Sequence, residues 1–575
     1  MEIREKIKTW VGQTLGVQSD FAVEHPKDMS HGDYAVNVAL IEGKKLGKNP
    51  RELANEYIEK LAACVLEEID HMETAGPGFI NIHLKSEYFA DEVGEAVEMG
   101  DEFGTNDSLD KQKTIIEYTN CNVLKPMHIG HLMGNIIGES LSRIIEANGA
   151  EIKRNTYQGD SGLHIAKVVW GIMKLGGKIE GDLSQKVEYI GKAYALGSNT
   201  YEEDEQVQAE IKELNQKVFE KTDAHLIDLY QWGREVSLAH FEELYKKLGT
   251  KFDYYFFESE VADDALNIVK EFLQKGIFEE SEGAIVFKGE KYDPKLHTRV
   301  FISSEGFPMY EAKDIAHALR KYKIYKSDKS LILTANEQDG YFKVMLRALQ
   351  EINPEVAAQT QHLSHGILKL PDGKMSSRKG NVITGEFLIS DVQELALDKM
   401  SEREMSDEVK KEVAEIIAIG AIKYSILHQA IGGDIIFDFD KSLSFEGDSG
   451  PYLQYAYVRS QSVIKKAKEV GVVSRSNTSS GPEESLPETW QTTTLEKLIA
   501  RFPEVVARAG AEYAPHYIAT YLTELAASFN NFYVMHKIAD ASDSGAGYKL
   551  ALTEAFGVVM KKGLDLLGIK VPVEM

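Results

Sequence analysis

Two cysteines in 575 residues, Cys64 and Cys121, rule out a disulfide framework and a zinc–thiolate cluster, so a reducing compartment and a scaffold with no protein-bound metal are expected. No apolar run reaches membrane-spanning length, and the opening residues MEIREKIKTW are charged where a signal peptide would be apolar. A cytoplasmic protein without a membrane partner is the expectation. Signatures of other nucleotide and metal enzymes are also missing: there is no G-x-x-x-x-G-K-[ST] phosphate loop, no G-x-G-x-x-G fingerprint and no H-E-x-x-H helix. Basic charge is scarce, with 65 Lys and Arg against 91 Asp and Glu and a net charge of -26. Taken globally, that argues against nucleic acid as a partner. Local contacts stay open, because basic clusters occur at Lys44, Lys45, Lys48 and Arg51, and at Arg459, Lys465, Lys466 and Lys468.

What is present is organised along the chain. The length is too great for one core. Residues 1–88 read as helices followed by Gly76-Pro77-Gly78 and the alternating strand Phe79–Leu84, a small α/β module. A charged linker precedes residues 114–390, where short strands alternate with helices as a parallel-sheet nucleotide fold requires. Within that segment residues 177–225 are charged and helix-biased, consistent with an insertion. Residues 391–449 and 450–575 are helical, broken by the Ser/Gly/Pro-rich stretch Ser474 to Pro487.

Two motifs carry chemistry. The β-branched run Thr114 to Tyr118 predicts a strand, and Leu132, Ile136, Ile137, Leu141, Ile144 and Ile145 recur at helical spacing. Lys125-Pro126-Met127-His128-Ile129-Gly130-His131 therefore sits where a strand's loop enters a helix. Free N–H groups and the positive end of the helix dipole favour a polyphosphate there. His128 and His131 add donors for oxygens that gain charge as an α-phosphate is attacked, and Gly130 lets an adenine ring pack on backbone. Downstream, Asp372-Gly373 predicts a turn and Lys374-Met375-Ser376-Ser377-Arg378-Lys379-Gly380 a mobile loop. Its cations Lys374, Arg378 and Lys379 suit neutralisation of a leaving pyrophosphate.

Together the two motifs resemble the ATP-handling signatures of class I aminoacyl-tRNA synthetases. The residues between them resemble the arginyl-tRNA synthetase family: Glu117 to Pro126 (EYTNCNVLKP), Gly306 to Ala316 (GFPMYEAKDIA) and Asn336-Glu337-Gln338-Asp339 before Phe342. So do His31 to Ala39 near the start of the chain and Gly450 to Arg459 with Gly568 to Met575 near its end. The resemblance implies an α/β fold with a Rossmann-like parallel-sheet catalytic domain, a small N-terminal module that contacts tRNA and an all-helical anticodon-binding domain. It implies that Glu117, Tyr310 and Asp314 face the substrate guanidinium and that Asn122 and Gln338 hold the α-amino end. Lys125, Pro126, His128, Gly130, His131, Met375, Ser376 and Ser377 would bind ATP, and Tyr452, Tyr455, Arg459 and Met575 would touch tRNA. The implied activity is that of an arginine–tRNA ligase using Mg-ATP, L-arginine and tRNA(Arg), with a monomer expected.

The chemistry of a guanidinium fits carboxylates with a neutral acceptor. Tyr310 and Asp314, four apart in a helical run, can project from one face. Compensation of a helix dipole would also account for Asp314, and core packing for Tyr310. Three departures from the family pattern stand out: Asn120-Cys121 in place of Ser-Pro, Tyr341 in place of His, and Ser377 in the second lysine slot. A different class I synthetase, or a silent paralogue that only binds RNA or a protein partner, are the competing readings.

Overall fold

A computed structural model describes residues 3–370, 383–475 and 490–575. At its centre lies a five-stranded parallel sheet in the order β12-β11-β5-β6-β7. The strands are β5 (Lys113–Glu117), β6 (Glu151–Gln158), β7 (Tyr254–Phe257), β11 (Lys329–Ala335) and β12 (Thr360–His365). Chain order runs outward from β5 in one direction to β6 and β7 and returns on its other side with β11 and β12. The switch point is thus at β5, and the crevice beyond the carboxyl ends of its neighbours is where such sheets bind ligands. Residues 115–116 of β5 and 331–333 of β11 are fully apolar and buried, as strands covered on both faces require.

Four strands near the start of the chain, β1 (Val23–Glu24), β2 (Tyr34–Val36), β3 (Ile69–Ala75) and β4 (Phe79–Leu84), form an antiparallel sheet in the order β1-β2-β4-β3. Its own core contains Trp10, Val11, Phe21, Tyr57 and Ile80. Three more strands, β8 (Glu279–Ser281), β9 (Ala284–Lys288) and β10 (Thr298–Ile302), make a small antiparallel sheet between β7 and β11. The helices Leu183–Glu203 and Glu205–Glu220 lie between β6 and β7, each begun by an aspartate cap, Asp182 and Asp204.

After residue 400 the described chain is helical apart from the two-residue strand Ile435–Ile436. These helices are fastened to the centre of the protein. The helix Ile129–Ala147, which follows β5, is held near its far end by Ser140 Oγ donating to Leu566 O at 3.0 Å, Arg143 donating to Asp565 Oδ1 at 2.7 Å and Asn148 Nδ2 donating to Val506 O at 3.1 Å. The first module docks on the same helical part through Lys497–Asp33 at 2.7 Å and His25–Glu504 at 3.1 Å. No helix among the described residues is long and apolar enough to cross a membrane.

Candidate active site

The loop between β5 and the Ile129–Ala147 helix holds Thr119, Asn120 and Leu124 at positive φ of 77°, 46° and 62°. Left-handed backbone at non-glycine residues is costly and tends to persist at working sites. Asn120 repays part of this cost, its Oδ1 accepting from Tyr157 N at 2.9 Å. Asn122 is bridged to Gly159, where a Cβ would stand 2.1 Å from Asn122 Oδ1. Only glycine admits so close an approach.

His128 is the N-cap of the helix, and its ring does the capping. Nδ1 accepts from Gly130 N at 3.1 Å and His131 N at 3.4 Å, while His131 Nδ1 accepts from His128 N at 3.3 Å. The two rings stack with centroids 3.6 Å apart. Ile129 N donates to Ile383 O at 3.1 Å. The expectation that first-turn N–H groups are open to a polyphosphate is therefore corrected: all three are occupied within the protein. What remains is chemically equivalent. Since each Nδ1 accepts, each ring carries its proton on Nε2, and neither Nε2 has a partner among the described residues. Burial lowers the pKa of both imidazoles, with Lys125 adding to the effect at His128 and His128 itself at His131. Both are neutral donors at physiological pH. A Cβ on Gly130 would lie 2.9 Å from the His128 ring, so this glycine makes room for the cap. Lys125 lies over the Tyr194 ring at 5.5 Å, and Pro126 is exposed beside it. Lys374, Met375, Ser376, Ser377, Arg378 and Lys379 lie outside the described residues.

The other side of the crevice is acidic. Glu117, the last residue of β5, is buried, and its Oε2 accepts from His317 Nε2 at 2.7 Å, Lys321 Nζ at 2.7 Å and Asn155 Nδ2 at 3.2 Å. Among the described residues its Oε1 has only the long Asn120 Nδ2 contact of 3.3 Å. Burial pushes the carboxyl up, and Lys321 and His317 more than reverse this, so it is held far below the usual carboxylate range. Asp314 comes from the helix Tyr310–Ile324 and accepts from Tyr341 OH at 2.5 Å. Burial raises its pKa to about 7, aided by Glu117 and Glu258 and opposed by the Tyr341 hydrogen bond and the charge of Lys313. Around it, Glu258 is paired with Lys313, which also donates to Ser161 Oγ at 3.3 Å, and Asp160 with Arg234 at 3.3 Å. Glu117, Glu258 and Asp160 each have an ion-paired cation; Asp314 has no ion pair among the described residues. Tyr310 caps this cluster, 54% exposed, with Lys313 Nζ 4.7 Å from its ring centre. Gln338 ends the turn after β11 and caps the Asp339–Ile352 helix, exposed at the crevice rim.

Sequence reasoning missed His317, Lys321 and Glu258, and named Tyr341 only as a departure from the family pattern. A signal existed for the first two: Tyr310, Asp314, His317 and Lys321 fall at i, i+4, i+7 and i+11, one stripe of a helix. The remote pairs, such as Lys313 with Glu258, leave no spacing pattern in the chain.

At the far end, Arg459 donates to Asn530 Oδ1 and Tyr455 OH, each at 2.9 Å, and Asn530 Nδ2 donates to Tyr452 OH at 2.9 Å. The guanidinium lies 4.6 Å from the Tyr455 ring and 5.5 Å from that of Tyr533. Exposed Val534 and Met535 adjoin it. By contrast Phe529 and Phe532 are buried, and Phe529 stacks on Phe556 at 3.9 Å, so these two aromatics pack helices. Met575 packs partly buried against the main core.

A parallel sheet whose switch-point crevice is entered by a helix beginning at a stacked histidine pair defines the catalytic part of a class I aminoacyl-tRNA synthetase. Residues 93–439 match the model described as tRNA synthetases class I (R), catalytic domain; residues 453–575 match the DALR anticodon binding domain, and residues 1–84 the arginyl tRNA synthetase N terminal domain. The chain is 31% identical over 560 residues to an arginine–tRNA ligase of Ligilactobacillus salivarius, covering 96% of this chain and 95% of the relative. It is 32% identical over 547 residues to that of Fusobacterium nucleatum, covering 94% and 93%. The fold is similar to Thermus thermophilus arginyl-tRNA synthetase, with a TM-score of 0.79 at 24% identity and 100% of both chains covered. The chain belongs to the arginyl-tRNA synthetase family.

Proposed function

We propose that this arginine–tRNA ligase selects its amino acid through one unbalanced carboxylate, Asp314. The observation that carries the reading is the charge pattern of the crevice: three acids are neutralised internally and the fourth is not. A guanidinium supplies the missing cation together with planar donors for Asp314 and for Glu117 Oε1. Tyr310 covers the guanidinium, and Asn122 and Gln338 take the α-amino end.

ATP occupies the other side, over Lys125, Pro126, Gly130 and the histidine pair. In the first step an oxygen of the arginine carboxylate attacks the α-phosphorus in line, the bond to the β-phosphate oxygen breaks and pyrophosphate leaves. His128 and His131 donate from Nε2 to phosphate oxygens whose charge grows as the transition state forms. Lys374, Arg378 and Lys379 are assigned to the pyrophosphate, with Met375, Ser376 and Ser377 beside the nucleotide. Mg²⁺ enters with ATP as its phosphate counterion; among the described residues no three His, Cys, Asp or Glu side chains converge to hold a metal. In the second step the terminal ribose 2′-OH of tRNA attacks the mixed anhydride and AMP leaves. The protein contributes positioning and electrostatics, and no covalent intermediate is required.

The Arg459 cluster with half-buried Tyr452 and Tyr455 and exposed Tyr533 presents a cation beside aromatic rings, which suits unstacked anticodon bases, with Met575 assigned to the same contact. We assign residues 1–88 to the outer corner of the tRNA, 114–390 to catalysis with 177–225 inserted, 391–449 to a connection and 450–575 to the anticodon arm. A monomer in the cytoplasm is the proposed working form. Aminoacylation of total tRNA with each amino acid supplied separately tests the reading: arginine alone is charged, and charging of any other amino acid at comparable kcat/KM would refute it.

A further inference from the structure

The stripe Tyr310, Asp314, His317, Lys321 places a buried lysine beneath the acids that would receive the guanidinium. Lys321 is 2% exposed, and its ammonium lies 2.7 Å from Glu117 Oε2. On the same oxygen His317 donates at 2.7 Å, its ring stacked on Tyr157 with centroids 3.9 Å apart. Three donors thus crowd Oε2, while among the described residues Oε1 has only the 3.3 Å contact from Asn120. A carboxylate held this way cannot turn, and its free acceptor capacity lies on one side.

We propose that Lys321 is a charge-balancing positioning residue of the arginine site: with His317 it anchors Glu117 by Oε2, leaves Oε1 for the substrate, and cancels one of two carboxylate charges so that a single guanidinium completes neutrality. The inference rests on the assignment of this crevice to arginine. With Glu258 and Asp160 balanced by Lys313 and Arg234, Lys321 leaves one net negative charge on Glu117 and Asp314 together, which is matched to a monocation and not to a neutral side chain. Citrulline, the uncharged isostere, leaves Asp314 without a partner.

The test is a cycle of full-length proteins titrated with L-arginine and with citrulline by calorimetry. Glu117→Gln alone removes an anion and keeps the cation, leaving Lys321 to oppose the guanidinium; arginine affinity falls about a hundredfold. Adding Lys321→Met removes that cation, and the double variant regains at least about tenfold of the lost affinity although it carries more changes. Citrulline affinity shifts by less than about threefold across the cycle, and Lys321→Arg keeps the preference of the parent for arginine. A double variant that binds arginine no better than Glu117→Gln overturns the proposal, because a structural lysine would give added losses. Should Glu117→Gln fail to fold, the double variant, which leaves no lysine buried without its carboxylate, is compared with the parent. It binds arginine within about tenfold of it, and a loss beyond about a hundredfold overturns the proposal. If Asp314→Asn leaves arginine affinity unchanged, the site assignment itself falls and the inference falls with it.

Discussion

At the start of the Ile129–Ala147 helix, two neutral imidazoles present N–H donors from rings locked by their own cap. Across the crevice, four acids face three internal cations, and Asp314 is left unmatched. The first region holds no formal charge on its signature residues, so its contribution grows only as charge develops on a phosphate. The second has a charge imbalance before any ligand arrives, so its contribution is made on binding. Transition-state stabilisation and substrate selection are thereby assigned to different sides of one switch point. Substitutions in the first region should act on kcat, and those in the second on KM for arginine.

The largest effect is expected at the acidic side. Asp314→Asn keeps the shape and one acceptor oxygen but removes the unmatched charge, and breaking a buried guanidinium–carboxylate pair costs about 3 to 5 kcal/mol. Pyrophosphate exchange with tRNA present should show KM for arginine rising by at least about a hundredfold, with KM for ATP nearly constant. An equal rise for both substrates would erase the division between the two sides.

His128→Ala and His131→Ala come next. Each removes one Nε2–H donor, worth about 2 to 4 kcal/mol at a developing oxyanion, so kcat for exchange falls by about 30-fold or more while KM for ATP changes little. His128→Ala also removes both cap bonds to its ring, at about 1 kcal/mol of stability; thermal unfolding should register a larger loss for it than for His131→Ala, which removes one cap bond. If KM for ATP rises and kcat is preserved, the histidines bind the ground state and the contrast collapses.

A smaller change is expected far from the crevice. Arg459→Ala frees Asn530 and Tyr455 and removes a cation from the exposed rings, which should raise KM for tRNA by about tenfold and leave KM for arginine and ATP unaltered. Unchanged charging kinetics would remove this cluster from the tRNA surface.

Much of this arrangement could be read along the chain. The β-branched run before Pro126 and the helical spacing after His131 place the histidines at a strand-to-helix junction. Tyr310 and Asp314 lie on one helical face by spacing alone. The cap was not legible, because whether a histidine ring turns back on its own helix depends on a rotamer and on the strand-like contact of His128 with Thr384. Nor was the balance of charge, since Glu117–Lys321 and Glu258–Lys313 join segments far apart in sequence that only the folded sheet brings together. The replacement of a family histidine by Tyr341 looked incidental in the chain; in the fold it supplies a hydrogen bond to Asp314. Among the C-terminal aromatics, identity did not separate Phe529 from Tyr533; burial does.

The contrast between the two sides is measured most directly by the pH dependence of kcat/KM for each substrate in one exchange assay on the parent enzyme. Asp314, raised to about 7 chiefly by burial, must be ionised to receive the guanidinium. Arginine kcat/KM should therefore hold steady above about pH 7.5 and fall toward tenfold per unit below about pH 6.5. The imidazoles are both lowered from their usual value, chiefly by burial, so kcat/KM for ATP at saturating arginine should lack the fall near pH 7 that Asp314 gives arginine. Parallel profiles for arginine and ATP, or an arginine profile that is flat down to pH 5, would contradict the assignment of Asp314 as the unbalanced charge that selects arginine.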